Sequence, residues 1–220
     1  VSHELRTPLA VLDGHINLLL RWGKDDPKQL TESLEASRQE IKKMSNMIQD
    51  MLDIARLKHT DRSELEHMSV ACSMSDLVTN FRIVHPTFDI ELENKLISPG
   101  IALIHKNHYD QAMTILLDNA VKYSGKIGNY IKVTLSEDDD MIITKVLDHG
   151  LGICKEDQAY IFERFFRADK ARNREIGGTG LGLAIIKNIA QIYKGSISVE
   201  SQVGKGSVFT FKIPKDKEKI

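Results

Sequence analysis

The opening Ser2-His3-Glu4-Leu5-Arg6-Thr7-Pro8 sets an imidazole directly beside a carboxylate. That pair can do nucleophilic chemistry: one ring nitrogen attacks while Glu4 accepts the proton from the other. Thr7 falls one helical turn below His3 on the same face, and Pro8 removes the hydrogen bond to the Glu4 carbonyl and bends the helix there. By itself an exposed His is more often plain surface than nucleophile. The spacing is not His-Glu-x-x-His, so a zinc-protease reading lacks its second ligand.

Four further clusters could handle a phosphorylated ligand. In Leu116–Ser124 the side chains of Asn119 and Lys122, three apart, share a helical face. An amide oxygen suits Mg²⁺ and an ammonium suits phosphate, although both residue types are common near helix ends. Asp148-His149-Gly150-Leu151-Gly152-Ile153 follows a strand-like run. A carboxylate there can accept a hydrogen bond from an amino group such as that of adenine, and the glycines let backbone approach the ring; an ordinary Gly-rich turn reads the same way. Gly177-Gly178-Thr179-Gly180-Leu181-Gly182-Leu183 opens a helix, where backbone amides make an anion site. It lacks the Gly-Lys-Ser/Thr ending of a Walker loop. Between the glycine clusters, Phe162-Glu163-Arg164-Phe165-Phe166-Arg167 offers aromatic lid anchors, or simply core, with Arg167 as a phosphate contact.

These residues need elements to hold them. Leu5, Leu9, Leu12, Ile16 and Leu19 step by four and three, the seam of a helix that packs lengthwise. Trp22-Gly23 ends it; Asp26 and Pro27 cap a second helix whose seam runs Leu30, Leu34, Ser37, Ile41, Met44, Ile48, Met51, Ala55. One hairpin cannot bury that seam alone, so dimerisation into a four-helix bundle is expected, with packing on the second half of the chain as the alternative. His3 faces away from the seam. Residues 61–66 read as a linker between an N-terminal domain, 1–60, and a second domain, 67–216. There, strands are expected at Met68–Ala71, Phe88–Leu92, Tyr130–Leu135, Met141–Leu147, Ser196–Glu200 and Val208–Ile213, and helices at Met74–Val84, His108–Tyr123 and Leu181–Tyr193. Asp138-Asp139-Asp140 reads as a hairpin turn. This is a mixed α+β domain with a largely antiparallel sheet and helices on one face.

With 30 Lys and Arg against 31 Asp and Glu, no overall field points to nucleic acid or an anionic membrane. Cys72 and Cys154 offer neither a disulfide framework nor metal-ligand spacing, which favours a reducing compartment. No apolar run approaches the ~18 residues that span a bilayer, so no membrane contact is expected of this stretch. The chain reads as a piece of something longer, with the first helix short of its N-terminal turns.

In order and spacing, the clusters resemble the sensor histidine kinases of two-component systems, over nearly the whole chain. Ser2–Pro8 looks like the phosphoacceptor box, Asn119 lies in the N box, and Asp148–Ile153 matches the first glycine box. Phe162–Arg167 matches the phenylalanine box, Gly178–Leu183 the second glycine box, and Gly204-Lys205-Gly206-Ser207 the closing turn. The resemblance implies a four-helix bundle formed from two chains, followed by the ATP-binding α/β sandwich of the gyrase, heat-shock chaperone and histidine kinase superfamily. It also implies that His3 is phosphorylated from ATP, that Glu4 assists the proton and that Thr7 positions water for dephosphorylating the partner. It assigns Asn119 to Mg²⁺, Lys122 and Tyr123 to phosphate or ribose, and Asp148 to adenine beside Gly150, Gly152 and Ile153. Phe165 belongs to the lid, Arg167 to the γ-phosphate, and Gly178, Thr179, Gly180, Leu181 and Gly182 to the phosphate side. Implied partners are a second copy of the chain and a response regulator, and the implied setting is the cytoplasmic portion of a membrane-anchored bacterial sensor. Two positions depart from the pattern: Ile115 stands where a second Asn is frequent, and His149 where Asn, Thr or Ser is commoner. Two rivals stay open, a nucleotide-binding scaffold that transfers nothing and an ATP hydrolase driving a clamp.

Overall fold

The computed structural model describes residues 2–23, 26–57, 65–124, 128–168 and 178–216, without the side chains of residues 2–4, 22 and 23. The chain divides into two compact units between Asp53 and Ile54.

The first unit is helical. Helix α1 is Ser2–Leu18 with Pro8 inside it, and its last turn widens into a π-helical turn over Leu19–Gly23. Helix α2, Pro27–Leu57, starts where expected. Asp26 Oδ1 accepts the N–H groups of Lys28 at 3.0 Å and Gln29 at 3.3 Å, and Pro27 needs no acceptor at the first helical position. The seam separates into two rows. Leu5, Leu12, Leu19, Leu30, Met44 and Met51 are half-buried. Leu34, Ile41 and Ile48, seven apart, remain 47–55% exposed, and Leu9 and Ile16 are 54% and 45% exposed. A single chain therefore leaves one apolar stripe uncovered.

The second unit contains a five-stranded sheet in the order β2-β4-β5-β7-β6: β2 Asp89–Asn94, β4 Tyr130–Glu137, β5 Met141–Asp148, β6 Ser196–Gln202 and β7 Gly206–Pro214. Only β2 against β4 is parallel. Alternate residues of the central strands face the core: Ile131, Val133 and Leu135; Ile142, Thr144 and Val146; Phe209, Phe211 and Ile213. On that face lie α3 (Val70–Val84), α4 (Lys106–Ser124) and α6 (Gly182–Ile192), with α4 against β5 and α6 against β6 and β7. Tyr109 of α4 is fully buried and its hydroxyl bonds Thr144 Oγ1 at 3.0 Å, while burial holds the phenol far above its ordinary acid range. Among the described residues, no helix is long and apolar enough to cross a membrane.

Four expectations need correction. The strand expected at Met68–Ala71 is β1, Glu66–Ser69, because Ser69 caps α3 and turns Val70 and Ala71 into its first helical residues. Glu66, assigned to the linker, pairs with Ile104. That partner strand, β3 (Ile101–Ile104), was not anticipated: four residues beside Pro99-Gly100 give too little period to read. The short helix α5, Lys155–Gln158, also escaped, being a single turn. The hairpin turn holds: Asp138 Oδ1 accepts the N–H groups of Asp140 and Met141.

Glu137, at the end of β4, ties the β2–β3 loop and the C-terminal segment together. Burial opposes its charge, but the Ser98 hydroxyl at 2.6 Å, Lys215 at 2.9 Å and the N–H groups of Ser98 and Ile97 outweigh that and bring its pKa from 4.5 to about 2. A folded-state value below the unfolded one stabilises fully above pH 4.5 and fades as pH falls toward 2. Urea denaturation at a series of acidic pH values should therefore show a steeper loss of stability in the wild type than in Glu137→Gln. Parallel curves would show that Glu137 does not govern the acid limb.

Candidate functional site

Helix α4 is the spine of the site. Its inner face, Tyr109, Ala112, Met113, Leu116, Leu117 and Ala120, is buried in the core. That leaves Ile115, Asn119, Lys122 and Tyr123 half-buried along one flank, spanning about 12 Å at 1.5 Å per residue.

At the C-terminal end of α4 stands Asp148, the last residue of β5, only 6% exposed. Its Oδ1 accepts the Gly150 N–H at 2.8 Å, and the Ser207 N–H also reaches the carboxylate. Burial pushes the carboxyl above its ordinary range; those N–H groups and the neighbouring His149 pull it partly back. The following loop is held tightly. A Cβ on Gly150 would lie 2.6 Å from the Tyr123 carbonyl oxygen, one on Gly152 (φ +69°) 2.0 Å from the Gln202 carbonyl, and one on Gly206 (φ +100°) 1.9 Å from the Asp148 carbonyl. Ile153 is clamped by its N–H to Ser201 Oγ at 2.8 Å and by Gln158 Nε2 on its carbonyl at 3.0 Å. His149 is exposed and stacks on Tyr130, ring centroids 5.8 Å apart.

Farther along α4 the second glycine cluster arrives. Gly178 (φ +134°) passes so close that a Cβ there would sit 2.5 Å from Lys122 Nζ. Gly180 (φ +72°) meets the Phe165 backbone, and its carbonyl accepts the Phe165 N–H at 2.8 Å. Phe165 itself has φ 64°, an uncommon conformation for an aromatic residue. Thr179 Oγ1 takes the Leu181 N–H at 3.2 Å, Leu181 is buried, and α6 begins at Gly182 rather than at Leu181. Lys187 on α6 bonds Glu163 at 2.9 Å, linking the phenylalanine-rich turn to the helix after the glycines.

The charges here are unbalanced. Burial lowers the pKa of Lys122, the nearby Arg167 lowers it further, and Asp118 only partly opposes them. Two cations within electrostatic reach of each other, one of them partly desolvated, form a setting that an anion relieves. Among the described residues no group of three His, Cys, Asp or Glu could hold a metal ion. A cation beside Asn119 would therefore take most of its ligands from phosphate and water, a coordination habit of Mg²⁺.

The structure thus brings Asn119, Lys122, Tyr123, Asp148, Gly150, Arg167, Gly178 and Gly182 into one region around α4. Thr7 is exposed on α1 in the other unit, the side chains of His3 and Glu4 lie outside the described residues, and so does Gly177. Sequence reasoning missed the roles of Ser201 and Gln158, which carry no sequence signal. Ser207 had one, in the Gly-Lys-Gly-Ser turn, but its N–H on Asp148 emerges only from the β5–β7 register that pairs them.

Residues 105–217 match the family of histidine kinase-, DNA gyrase B-, and HSP90-like ATPases, and residues 1–60 match the His Kinase A (phospho-acceptor) domain. The signal transduction histidine-protein kinase ArlS of Staphylococcus aureus is 39% identical over 210 residues, which is 94% of this chain and 46% of that protein. The chain therefore spans about half the length of the curated relatives it matches. Among solved structures, full-length ShkA in complex with AMPPNP aligns with TM-score 0.67 and 26% identity over 97% of this chain and 44% of that one. The histidine kinase AdeS of Acinetobacter baumannii aligns at 0.70 over 98% of both chains; at 24% identity that likeness speaks for the fold alone.

Proposed function

Because the chain belongs to the sensor histidine kinases of two-component systems, joining a His Kinase A domain to an ATPase domain, we propose that it transfers the γ-phosphoryl group of ATP to His3 and then to an aspartate of a response regulator. The observation that carries this reading is α4 itself, with a buried carboxylate at one end of its flank and the Lys122–Arg167 cations beside the glycines. The ArlS relative is named a histidine-protein kinase and the ShkA neighbour holds an ATP analogue, which agree with it.

In this mechanism Asp148 accepts the adenine amino group through the lone pairs that Gly150 and Ser207 leave available. Gly150 and Gly152 let the base lie against backbone, and Ile153, fixed by Ser201 and Gln158, supplies an apolar wall. Lys122, Tyr123 and Arg167 meet ribose and phosphates, and Gly178–Gly182 wraps the phosphate side. Asn119 would hold Mg²⁺, which neutralises phosphate charge when bound. On the first unit, an unprotonated His3 nitrogen forms the N–P bond as the bond from phosphorus to the departing ADP oxygen breaks, and Glu4 takes the proton from the other ring nitrogen. Thr7 positions water for the reverse duty, dephosphorylation of the regulator. The uncovered row Leu34, Ile41, Ile48 is filled by a second copy of the chain, giving the four-helix bundle. In the longer protein this piece forms the cytoplasmic end of a membrane-anchored sensor.

The test is incubation with γ-labelled ATP and Mg²⁺ followed by acid or alkali. Label lost in acid and kept in alkali is expected. Nucleotide binding without label, in a chain extended at its N-terminus, would favour a scaffold, and steady turnover without label an ATP hydrolase.

A further inference from the structure

We propose that Ile115 is a positioning residue for the nucleotide phosphates: its Cγ2 methyl is the stop against which Gly182, the first residue of α6, is seated. The proposal rests on the nucleotide reading above and adds to it a residue that makes no contact with the ligand.

The glycine cluster is laid on α4 at both ends. At Gly178 a Cβ would stand 2.5 Å from Lys122 Nζ, and at Gly182 one would stand 2.9 Å from Ile115 Cγ2. Ile115, Asn119 and Lys122 are spaced i, i+4 and i+7, so the two contacts lie on the flank that also carries Asn119. The glycines at these ends serve different purposes. Gly178 and Gly180 have positive φ, which glycine adopts without strain, whereas Gly182 sits in ordinary helical backbone, so its missing side chain provides clearance alone. That clearance lets the start of α6 come down onto a methyl group. Helix α6 receives no side-chain cap from Leu181, and in this proposal the N–H groups of its first turn face the phosphates. Where they point depends on where the helix starts, and Ile115 bounds that by filling the space that a Cβ on Gly182 would need. Phosphate held between Lys122 and α6 thus depends on a residue whose own chemistry is inert.

The atom in contact allows a sharp test. Ile115→Val keeps Cγ2; Ile115→Leu keeps the volume but loses the β-branch; Ile115→Ala loses both. Affinity for Mg-ADP would be measured by calorimetry, and for adenosine, which has no phosphate, by ligand-observed NMR, all on the 220-residue chain. The Val variant should match the wild type for both ligands. The Leu and Ala variants should bind ADP about ten-fold more weakly while adenosine is unchanged, since a misplaced donor costs affinity only for the group it addresses. Gly182→Ala should weaken ADP in the same way, and adding Ile115→Ala to it should recover most of the loss by clearing the space.

ADP affinity unchanged in the Leu variant, parallel weakening of ADP and adenosine, or no recovery in the double variant would each overturn the assignment. A wild type that binds neither ligand would instead remove the nucleotide reading, and this assignment with it. Adenosine binding and the thermal midpoint keep loss of fold from being mistaken for loss of aim.

Discussion

A His3→Gln chain incubated with γ-labelled ATP should carry no acid-labile phosphate, while its affinity for ADP stays within about two-fold of the wild type. The amide nitrogen of glutamine is conjugated with its carbonyl and offers no lone pair for attack, so the loss is complete rather than partial. The nucleotide contacts proposed above, from Asn119 to Gly182, all lie in the second unit, so binding should be spared. Glu4→Gln should behave differently: the nucleophile survives but its proton has no nearby base, and labelling should slow by about 10²–10⁴-fold. Label persisting in the His3 variant would move the phosphoacceptor elsewhere. Loss of ADP binding in that variant would mean that the two units are not separable in function.

Asp148→Asn should weaken ADP and adenosine together by about 30- to 150-fold, the two to three kcal/mol of a mispaired buried polar contact. The carboxylate already accepts the Gly150 N–H through Oδ1. An asparagine that preserves this bond turns its NH₂ toward the adenine amino group, donor against donor. pH gives an independent check. Burial raises the carboxyl above its ordinary range, so wild-type affinity should fall across the acidic range, starting at a higher pH than a free aspartate would allow, as protonation turns an acceptor into a donor. The asparagine variant should be flat over that range. Equal pH dependence in both would assign the titration to another group, and full binding by the variant would remove Asp148 from the adenine contact.

Much of this was legible beforehand because it is local. The heptad steps of Leu5 through Leu19 announce α1, and alternation in Ile131–Leu135 and Ile142–Val146 announces β4 and β5. Asp26-Pro27 fixes the start of α2 within one residue. The chemistry proposed for Asp148 and the glycine clusters comes from residue types in sequence order. What stayed hidden depends on contacts between distant positions. Strand β3 exists because Ile101–Ile104 finds Glu66–Ser69, a pairing no window of sequence contains. In sequence Ile115 shows only as a departure from a pattern; its seat against Gly182 appears when α4 and α6 are brought together. Strand β1 ended early because one serine side chain, Ser69, prefers to cap a helix.

Helix α4 buries Met113 and Leu117 on one side and presents Asn119 and Lys122 on another, within a single rigid rod. Interior and ligand contact therefore cannot vary independently. A substitution at Met113 that rolls the rod slightly leaves a folded protein with a different appetite for nucleotide. Across a lineage, neutral-looking drift in the hydrophobic interior would, on the proposed function, become drift in nucleotide affinity. Sensors of this build can be retuned by selection acting on residues that never meet the ligand.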